Sequence, residues 1–298
     1  MGRKTRYPLF VSVVIPVFNR EKMVQDAVES VLSQRFNDFE LIVVDDGSTD
    51  DTPQILDRYA DRITVIRQEN KGVSSARNAG IKAAQGTLVA LLDSDDKWLP
   101  GKLSAQVDFF SRHKEAMICQ TEEIWIRNGK RVNPKKYHKK YSGMIFEKCL
   151  PLCIVSPSAV MMKKELFDEM GLFDEMLPAC EDYDMWLKIS RKYPIHLINQ
   201  PLIIKRGGHA DQLSKMPGLD KYRILALKRI IQSKTLSDPQ HIAAVAMLKE
   251  KCAIYAGGCL KRGKVNEAAI YTALSDQYWK RHNCSGLNSE DQRSVQWF

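Results

Sequence analysis

Acidic residues that could do chemistry stand in three clusters. The clusters are Asp45-Asp46, Asp93-Ser94-Asp95-Asp96 and Glu181-Asp182. Aspartates two positions apart can bind a hard divalent cation through oxygen and, through that cation, a diphosphate. The residue types and their spacing therefore indicate a site for a metal ion and a phosphate-bearing ligand.

Short apolar runs alternate with helical patterns around the first two clusters. Strands are predicted at Val11–Val17, Glu40–Asp45, Ile63–Gln68 and Leu88–Asp93. Helices are predicted at Glu21–Ser33, Thr52–Ala60 and Val73–Ala84. This alternation predicts an α/β fold with a parallel sheet and helices on both of its faces. Because ligands bind at the carboxyl ends of parallel strands, the clusters should converge on one crevice.

Glycine-rich phosphate-binding loops are absent after the first predicted strand. Neither G-x-G-x-x-G nor G-x-x-x-x-G-K-[ST] occurs there. Such loops neutralise phosphate through backbone N–H groups. In this chain a metal ion must then supply much of that neutralisation.

The chain becomes less regular beyond about Gly101 and ends in helices. Strands are predicted near Met117–Thr121, Ala159–Met162 and Leu202–Lys205, helices at Gly101–Arg112, Lys164–Met170 and Asp182–Lys192, and a basic loop at Asn128–Tyr141. From Asp220 onward the pattern is all-helical, near Lys221–Ser233, Pro239–Ala256 and Val265–Tyr278.

Composition is that of an ordinary globular protein. The 298 residues are 44% apolar and 27% charged, which excludes a disordered chain, a collagen and a simple coiled coil. The net charge of +9 suits anionic ligands, nucleic acid or an acidic membrane face. Seven cysteines without a C-x-x-C pair indicate reduced thiols. No apolar run approaches the roughly 18 residues of a membrane span, and no signal-peptide core follows the basic start, so we predict a cytoplasmic protein.

Five segments resemble, in order, the motifs of the inverting family 2 glycosyltransferases, which have the GT-A fold. The segments are Pro16-Val17-Phe18-Asn19, Val43-Val44-Asp45-Asp46-Gly47-Ser48-Thr49-Asp50, Asn70-Lys71-Gly72 with Ala76-Arg77-Asn78, Leu91-Leu92-Asp93-Ser94-Asp95-Asp96-Lys97-Trp98, and Glu181-Asp182-Tyr183-Asp184-Met185-Trp186. The resemblance implies a Rossmann-like, mainly parallel sheet in a GT-A domain at 1–215. Within it, 1–100 would be the nucleotide-binding half and 101–215 the acceptor half, followed by a helical extension at 216–298.

The resemblance also implies how the donor is bound. It implies a nucleotide sugar, most often UDP-linked, with Asp46 on the nucleobase and Asp93 on the ribose. Arg77 would contact the base or the diphosphate, and Pro16 and Asn19 would shape the pocket wall.

Metal binding and catalysis are assigned by the same resemblance. Asp95 would bind Mn²⁺ or Mg²⁺, which bridges the diphosphate and stabilises the leaving group. Asp182 would be the general base that removes the proton of an acceptor hydroxyl in one inverting displacement. His209, in Arg206-Gly207-Gly208-His209, would complete the metal site or touch the diphosphate.

The implied function is sugar transfer from a nucleotide sugar to a hydroxyl of a glycan, a lipid-linked glycan or a protein, in polysaccharide or glycoconjugate biosynthesis. The C-terminal helices would pack on the domain, pair two subunits, or lie on the inner face of a membrane.

Two other functions remain open from the sequence. A sugar-nucleotide nucleotidyltransferase has a similar fold, but its G-x-G loop with a following Arg and Lys is missing here. A non-catalytic carbohydrate- or nucleic-acid-binding protein fits the charge and the basic loop. Such a protein needs neither Asp95 nor Asp182. Purely structural roles of the acidic residues also remain open. Residues 45–50 could be a turn that caps the next helix, and Glu181-Asp182 could be negative charge that complements the dipole at the start of a helix.

Overall fold

A nine-stranded sheet runs through the described part of the chain, residues 10–208 and 212–285 of the computed structural model. In chain order its strands are β1 Val11–Val17, β2 Phe39–Asp45, β3 Thr64–Arg67, β4 Leu88–Leu91, β5 Lys97–Trp98, β6 Ile118–Arg127, β7 Lys130–Val132, β8 Val160–Lys163 and β9 Ile195–Gly207. Their order across the sheet is β3-β2-β1-β4-β8-β6-β9-β5, and β7 pairs with β6. Apolar β1 lies near the middle of the first four strands and is buried along its whole length.

Helices connect most of the strands and continue after the sheet. They are α1 Val24–Leu32, α2 Thr52–Asp57, α3 Val73–Ala83, α4 Lys102–Arg112, α5 Phe146–Cys149, α6 Glu165–Met170, α7 Glu181–Ser190, α8 Leu219–Gln232, α9 Asp238–Leu260 and α10 Val265–Ser285. The chain divides into one compact unit that ends at Met216 and another that begins at Pro217. The sheet belongs to the first unit, and α8, α9 and α10 belong to the second.

The direction of the strands changes halfway across the sheet. Strands β1, β2, β3 and β4 are parallel, as predicted, so their carboxyl ends share one edge. Strand β8 is antiparallel to β4 and to β6, whereas β6 and β9 are parallel to each other. The sheet is therefore mixed rather than mainly parallel. Because β8 runs backwards, its amino end lies at the edge where β4 ends.

Two segments differ from the sequence prediction. Strand β9 is thirteen residues long, although only Leu202–Lys205 was predicted as a strand. The residues Asn199-Gln200-Pro201 are typical of a turn, so the sequence predicted too short a strand. Irregular pairing opposite Glu122 accommodates the proline within the sheet. The predicted basic loop Asn128–Tyr141 contains β7 and a short 3₁₀ turn at Lys136–His138.

The described residues of the second unit, 217–285, form three helices. Helix α9 begins at a capping box, in which the Ser237 N–H donates to Gln240 Oε1 at 3.1 Å. Leu227 of α8 and Leu248 of α9 are fully buried. The Tyr255 hydroxyl of α9 donates to Glu267 Oε1 of α10 at 2.7 Å. Among the described residues, no helix has both the length and the apolar composition required to cross a membrane.

We predict that Gly80→Ala destabilises the protein by roughly 1–3 kcal/mol, because it overpacks a filled core. A Cβ at Gly80 of α3 would lie 2.3 Å from Val14 Cγ1 and 3.2 Å from Val44 Cγ2. Urea unfolding monitored by circular dichroism measures the change in the free energy of unfolding.

Gly257→Ala is the matched control. Gly257 also lies inside a helix, α9, but nothing lies within 4 Å of a Cβ built there. Alanine should stabilise that helix by about 0.5–1 kcal/mol. Equal effects of the two substitutions would contradict close packing of α3 on β1 and β2.

Candidate active site

Two turns at the carboxyl edge of the parallel strands are linked by hydrogen bonds. Asn19, which follows β1, has a positive φ of 50°, a conformation that asparagine tolerates better than most residues. Its N–H donates to Ser48 Oγ at 2.9 Å, and its Oδ1 accepts the Thr49 N–H at 2.8 Å. Asp45 Oδ1 accepts the Ser48 N–H at 3.0 Å. These bonds fix the turn after β1 against the turn after β2.

Asp46 is a buried carboxylate that the next loop encloses. Its Oδ1 accepts from Gln68 Nε2 at 2.6 Å and from the Lys71 N–H at 3.0 Å, and its Oδ2 accepts from the Gly72 N–H at 2.8 Å. Gly72 has a φ of 89° and stands just before α3, so glycine is the residue that this turn favours. The bonds hold Asp46 in one orientation at the wall of a cavity.

The cavity has a volume of about 470 Å³, which lies in the range of small-molecule sites. Its described lining is Pro16, Val17, Phe18, Asn19, Arg20, Asp46, Asn70, Gly72, Val73, Ala76, Ser94, Pro178 and Leu213. Three of the sequence-predicted donor-site residues, Pro16, Asn19 and Asp46, are therefore brought together on its wall. Arg77 and Asp93 are not part of this lining.

Arg77 of α3 connects two acidic segments that are far apart in the chain. Its Nη2 lies 2.7 Å from Asp93 Oδ1, and its Nη1 lies 2.6 Å from Glu181 Oε1. The Arg77 side chain is only 4% exposed and its guanidinium stands 5.3 Å from the Phe173 ring centroid. Burial alone lowers the pKa of Arg77, but the charges of Asp93 and Glu181 outweigh it and raise the pKa above its usual value. Arg77 thus stays charged and fixes both carboxylates.

The cluster that follows β4 is held from the opposite side by the 3₁₀ turn Pro157–Ala159, which precedes β8, and by β9. The Ser158 hydroxyl accepts the Asp93 N–H at 3.1 Å and donates to Asp96 Oδ2 at 2.6 Å. Asp96 Oδ1 accepts the Arg206 N–H at 2.9 Å. Burial raises the pKa of Asp96 well above its usual value, and the charge of Asp95 raises it further. Asp96 is therefore a structural carboxyl group, and half-buried Asp95 lies beside it.

The donor set of this cluster determines whether a divalent cation fits. In the part of the chain that the structure describes, no three or more His, Cys, Asp and Glu side chains form a group that could hold a metal ion. His209 lies outside the described residues, so its role stays a prediction. Mg²⁺ and similar cations commonly take one or two protein carboxylates and complete their shell with substrate phosphates and water. Asp95 fits such a shared site, in which the ligand supplies most of the oxygens.

Helix α7 begins with the third acidic cluster. Cys180, directly before it, has a left-handed backbone with φ 63°, a strained conformation for cysteine. Glu181 is buried against Arg77, whereas Asp182 is half-buried. Asp182 Oδ1 accepts the Tyr183 N–H at 2.7 Å, and Asp182 Oδ2 accepts from Cys153 Sγ at 3.2 Å. The two acids of the motif therefore have different environments.

Sequence reasoning missed a buried charge network next to this edge. The Lys205 ammonium of β9 donates to Ser156 Oγ at 3.2 Å. Burial lowers the pKa of Lys205, but the charges of Glu123, Asp96 and Asp93 raise it above its usual value. Burial raises the pKa of Glu123, yet the Lys140 and Lys205 charges lower it to about 2. The signal in the sequence was a charged residue inside each of two strand-like runs, Glu123 in the run that forms β6 and Lys205 in the run that forms β9.

A family model and individual proteins match this chain. The model for glycosyl transferase family 2 matches residues 12–171. An uncharacterized glycosyltransferase of Rickettsia conorii is 36% identical over 219 residues, which are 70% of this chain and 36% of that protein. The chain thus matches about a third of that relative's length. The Escherichia coli protein WfgD, a UDP-Glc:α-D-GlcNAc-diphosphoundecaprenol β-1,3-glucosyltransferase, is 32% identical over 194 residues, 63% of this chain and 73% of WfgD.

The fold of this chain is similar to that of a solved structure. The crystal structure of S. aureus TarS 1–349 in complex with UDP-GlcNAc superposes with a TM-score of 0.66 at 22% identity, over 82% of this chain and 72% of that chain. This similarity confirms the GT-A fold expected from the sequence. The family model and the WfgD match show that the chain belongs to glycosyl transferase family 2.

Proposed function

We propose that this chain is an inverting glycosyltransferase that moves a sugar from a UDP-sugar to a hydroxyl group of a glycan or lipid-linked glycan. One observation carries the proposal: Arg77 binds Asp93 and Glu181 simultaneously, close to the cavity that Asp46 lines. This bridge connects the proposed donor-binding segment with the helix that bears the proposed base. The UDP-sugar and the lipid-linked acceptor class are taken from WfgD, whose name states both.

The cavity supports nucleotide binding through its shape and its acceptor groups. The Asp46 carboxylate at its wall can accept an N–H of a uracil ring, while Pro16 and Asn19 form the wall beside it. Asp93, with its side chain 27% exposed, can accept from a ribose hydroxyl while Arg77 holds one of its oxygens. Because both Arg77 Nη atoms bind carboxylates, we assign Arg77 the role of positioning Asp93 and Glu181.

Asp182 is the general base in this proposal. The acceptor oxygen attacks the anomeric carbon, the bond from that carbon to the diphosphate oxygen breaks, and the hydroxyl proton passes to the Asp182 carboxylate. Glu181 is the poorer candidate, because it is buried and its Oε1 binds Arg77. Asp182 is more exposed and its two oxygens each retain lone pairs beyond the bonds described.

A divalent cation, Mn²⁺ or Mg²⁺, would be held by Asp95 together with the diphosphate, and His209 would be a further ligand. When bound, such a cation neutralises charge that develops on the departing nucleoside diphosphate. Self-association through the C-terminal helices, contact with a membrane face and a cytoplasmic location stay predictions.

We predict that Asp182→Asn lowers the transfer rate by about 10²–10⁴-fold, because the amide keeps the shape and cannot take a proton. Binding of UDP should change little, since Asp182 is not part of the cavity lining. Product formation with a panel of UDP-sugars and lipid-linked acceptors measures the rate, and calorimetry measures UDP binding.

Asp184→Asn is the matched control for this substitution. Asp184 lies on the same helix, is buried and pairs with Lys188 at 2.6 Å. The same chemical change there should lower thermal stability but leave the transfer rate of the folded protein within about twofold of wild type. Transfer by Asp182→Asn at a rate comparable to that of the control would exclude Asp182 as the base.

We predict that Asp95→Ala and Asp46→Ala weaken donor binding in different ways. Loss of Asp95 should reduce Mn²⁺ affinity and the Mn²⁺-dependent part of UDP affinity. Loss of Asp46 should reduce UDP affinity by about tenfold, because one hydrogen bond to a charged group is lost. This reduction should be the same at every Mn²⁺ concentration. Calorimetry of UDP binding across a Mn²⁺ series separates the two effects.

Asp108→Ala controls for the loss of one negative charge. Asp108 forms an exposed ion pair with Arg112 on α4 and should leave both affinities unchanged. Wild-type Mn²⁺ and UDP affinities in Asp95→Ala would refute the metal assignment.

A further inference from the structure

The thiol of Cys153 contacts the carboxylate proposed to act as the base. Cys153 lies in the loop between α5 and β8, and its Sγ is 3.2 Å from Asp182 Oδ2. The family motifs do not include this position. No sequence pattern connects it with Asp182, which is 29 residues away.

Two hydrogen bonds attach the loop that bears Cys153 to α7. The Tyr183 hydroxyl donates to the Leu150 carbonyl at 2.6 Å, at the start of the loop. The contact between Cys153 and Asp182 is the second. The first bond does not involve Asp182, so it holds the start of the loop on α7 independently of the thiol.

The thiol has one hydrogen and two acceptors within reach. The Val155 carbonyl oxygen is 3.3 Å from Sγ, and Asp182 Oδ2 is 3.2 Å from it. Desolvation raises the pKa of Cys153 well above its usual value, and the Asp182 charge raises it further, so the group stays a neutral S–H donor at physiological pH. An ionised carboxylate is a stronger acceptor than a carbonyl oxygen. The hydrogen is therefore directed at Asp182.

We propose that Cys153 is a positioning residue, whose S–H donates to Asp182 Oδ2 and holds the ionised carboxylate in the orientation required to receive the acceptor proton. The inference rests on the proposed function. With the Tyr183 N–H on Oδ1 and the thiol on Oδ2, both oxygens are fixed in place. One lone pair on each oxygen remains for an acceptor hydroxyl.

Other charged and polar groups also surround the pair. Glu181 faces Asp182 with a like charge, while Lys205 and the thiol of Cys149 face Cys153. Removing the Cys153 thiol takes away the hydrogen bond to Asp182 Oδ2 and leaves these groups in place.

The first experiment measures the carboxylate without turnover. In the full chain labelled with ¹³C at the aspartate carboxyl carbon, Asp182→Asn identifies the resonance, whose chemical shift is then compared at neutral pH in wild type, Cys153→Ala and Cys153→Ser. We expect the chemical shift to move in Cys153→Ala, because the carboxylate loses one hydrogen bond. Cys153→Ser, whose hydroxyl donates, should bring it back towards the wild-type value.

The second experiment measures transfer kinetics. Cys153→Ala should lower kcat by about five- to tenfold at neutral pH and leave the KM for the donor unchanged. Cys153→Ser should recover most of kcat. Cys149→Ala is the control, because that cysteine is buried on α5, which packs against α7, and has no hydrogen bond to Asp182. It should reduce thermal stability and leave kcat close to wild type.

The outcomes separate this inference from the proposed function. An unchanged Asp182 carboxyl resonance in Cys153→Ala overturns the inference even if activity falls, because the thiol then donates to Val155 or serves only in packing. A loss of kcat that serine does not restore also overturns it. Failure of the proposed function appears differently, as the absence of transfer by the wild-type chain with every donor and acceptor in the panel.

Discussion

The buried guanidinium of Arg77 is the interaction on which the arrangement of the site depends. Its single positive charge pairs with Asp93 at the end of the parallel half of the sheet and with Glu181 at the start of α7. A buried charge left without its partner typically costs about 3–5 kcal/mol, so the three groups stabilise one another only as a set. The fold can therefore bring two acidic segments together because the guanidinium offsets part of their repulsion. The other residues of the candidate site at this edge are positioned relative to these two carboxylates.

The change of strand direction explains which segments meet this bridge. The carboxyl ends of β1, β2 and β4 supply Asn19, Asp46 and Asp93, as a parallel sheet requires. Strand β8 runs the opposite way, so the loop before it delivers Ser158 and Cys153 to the same edge. A wholly parallel sheet would have placed that loop at the far edge. The mixed sheet thus surrounds one crevice with residues from both halves of the domain.

Charge balance within the domain is local, although the chain as a whole is basic. Lys205 lies among Glu123, Asp93 and Asp96, and its ammonium offsets carboxylates that would otherwise repel a diphosphate. The net charge of +9 gave no indication of this arrangement. Among the family-motif acids, Asp95 and Asp182 are half-buried, as are Asp50 and Asp93, whereas Asp46, Asp96 and Glu181 are buried. Half-burial agrees with the contacts to a ligand that are proposed for Asp93, Asp95 and Asp182.

Sequence alone determined the elements and motifs whose signal is local. The apolar runs of β1, β2 and β4 and the turn residues after them predict a buried parallel half-sheet, because strand period and turn chemistry depend on neighbours in the chain. Tertiary structure decided the contacts that cross the chain. The Arg77 bridge to Glu181 spans 104 residues, and the contact of Cys153 with Asp182 depends on how β8 reverses. No periodicity or spacing encodes such contacts, since they arise only when separately formed segments pack at one edge.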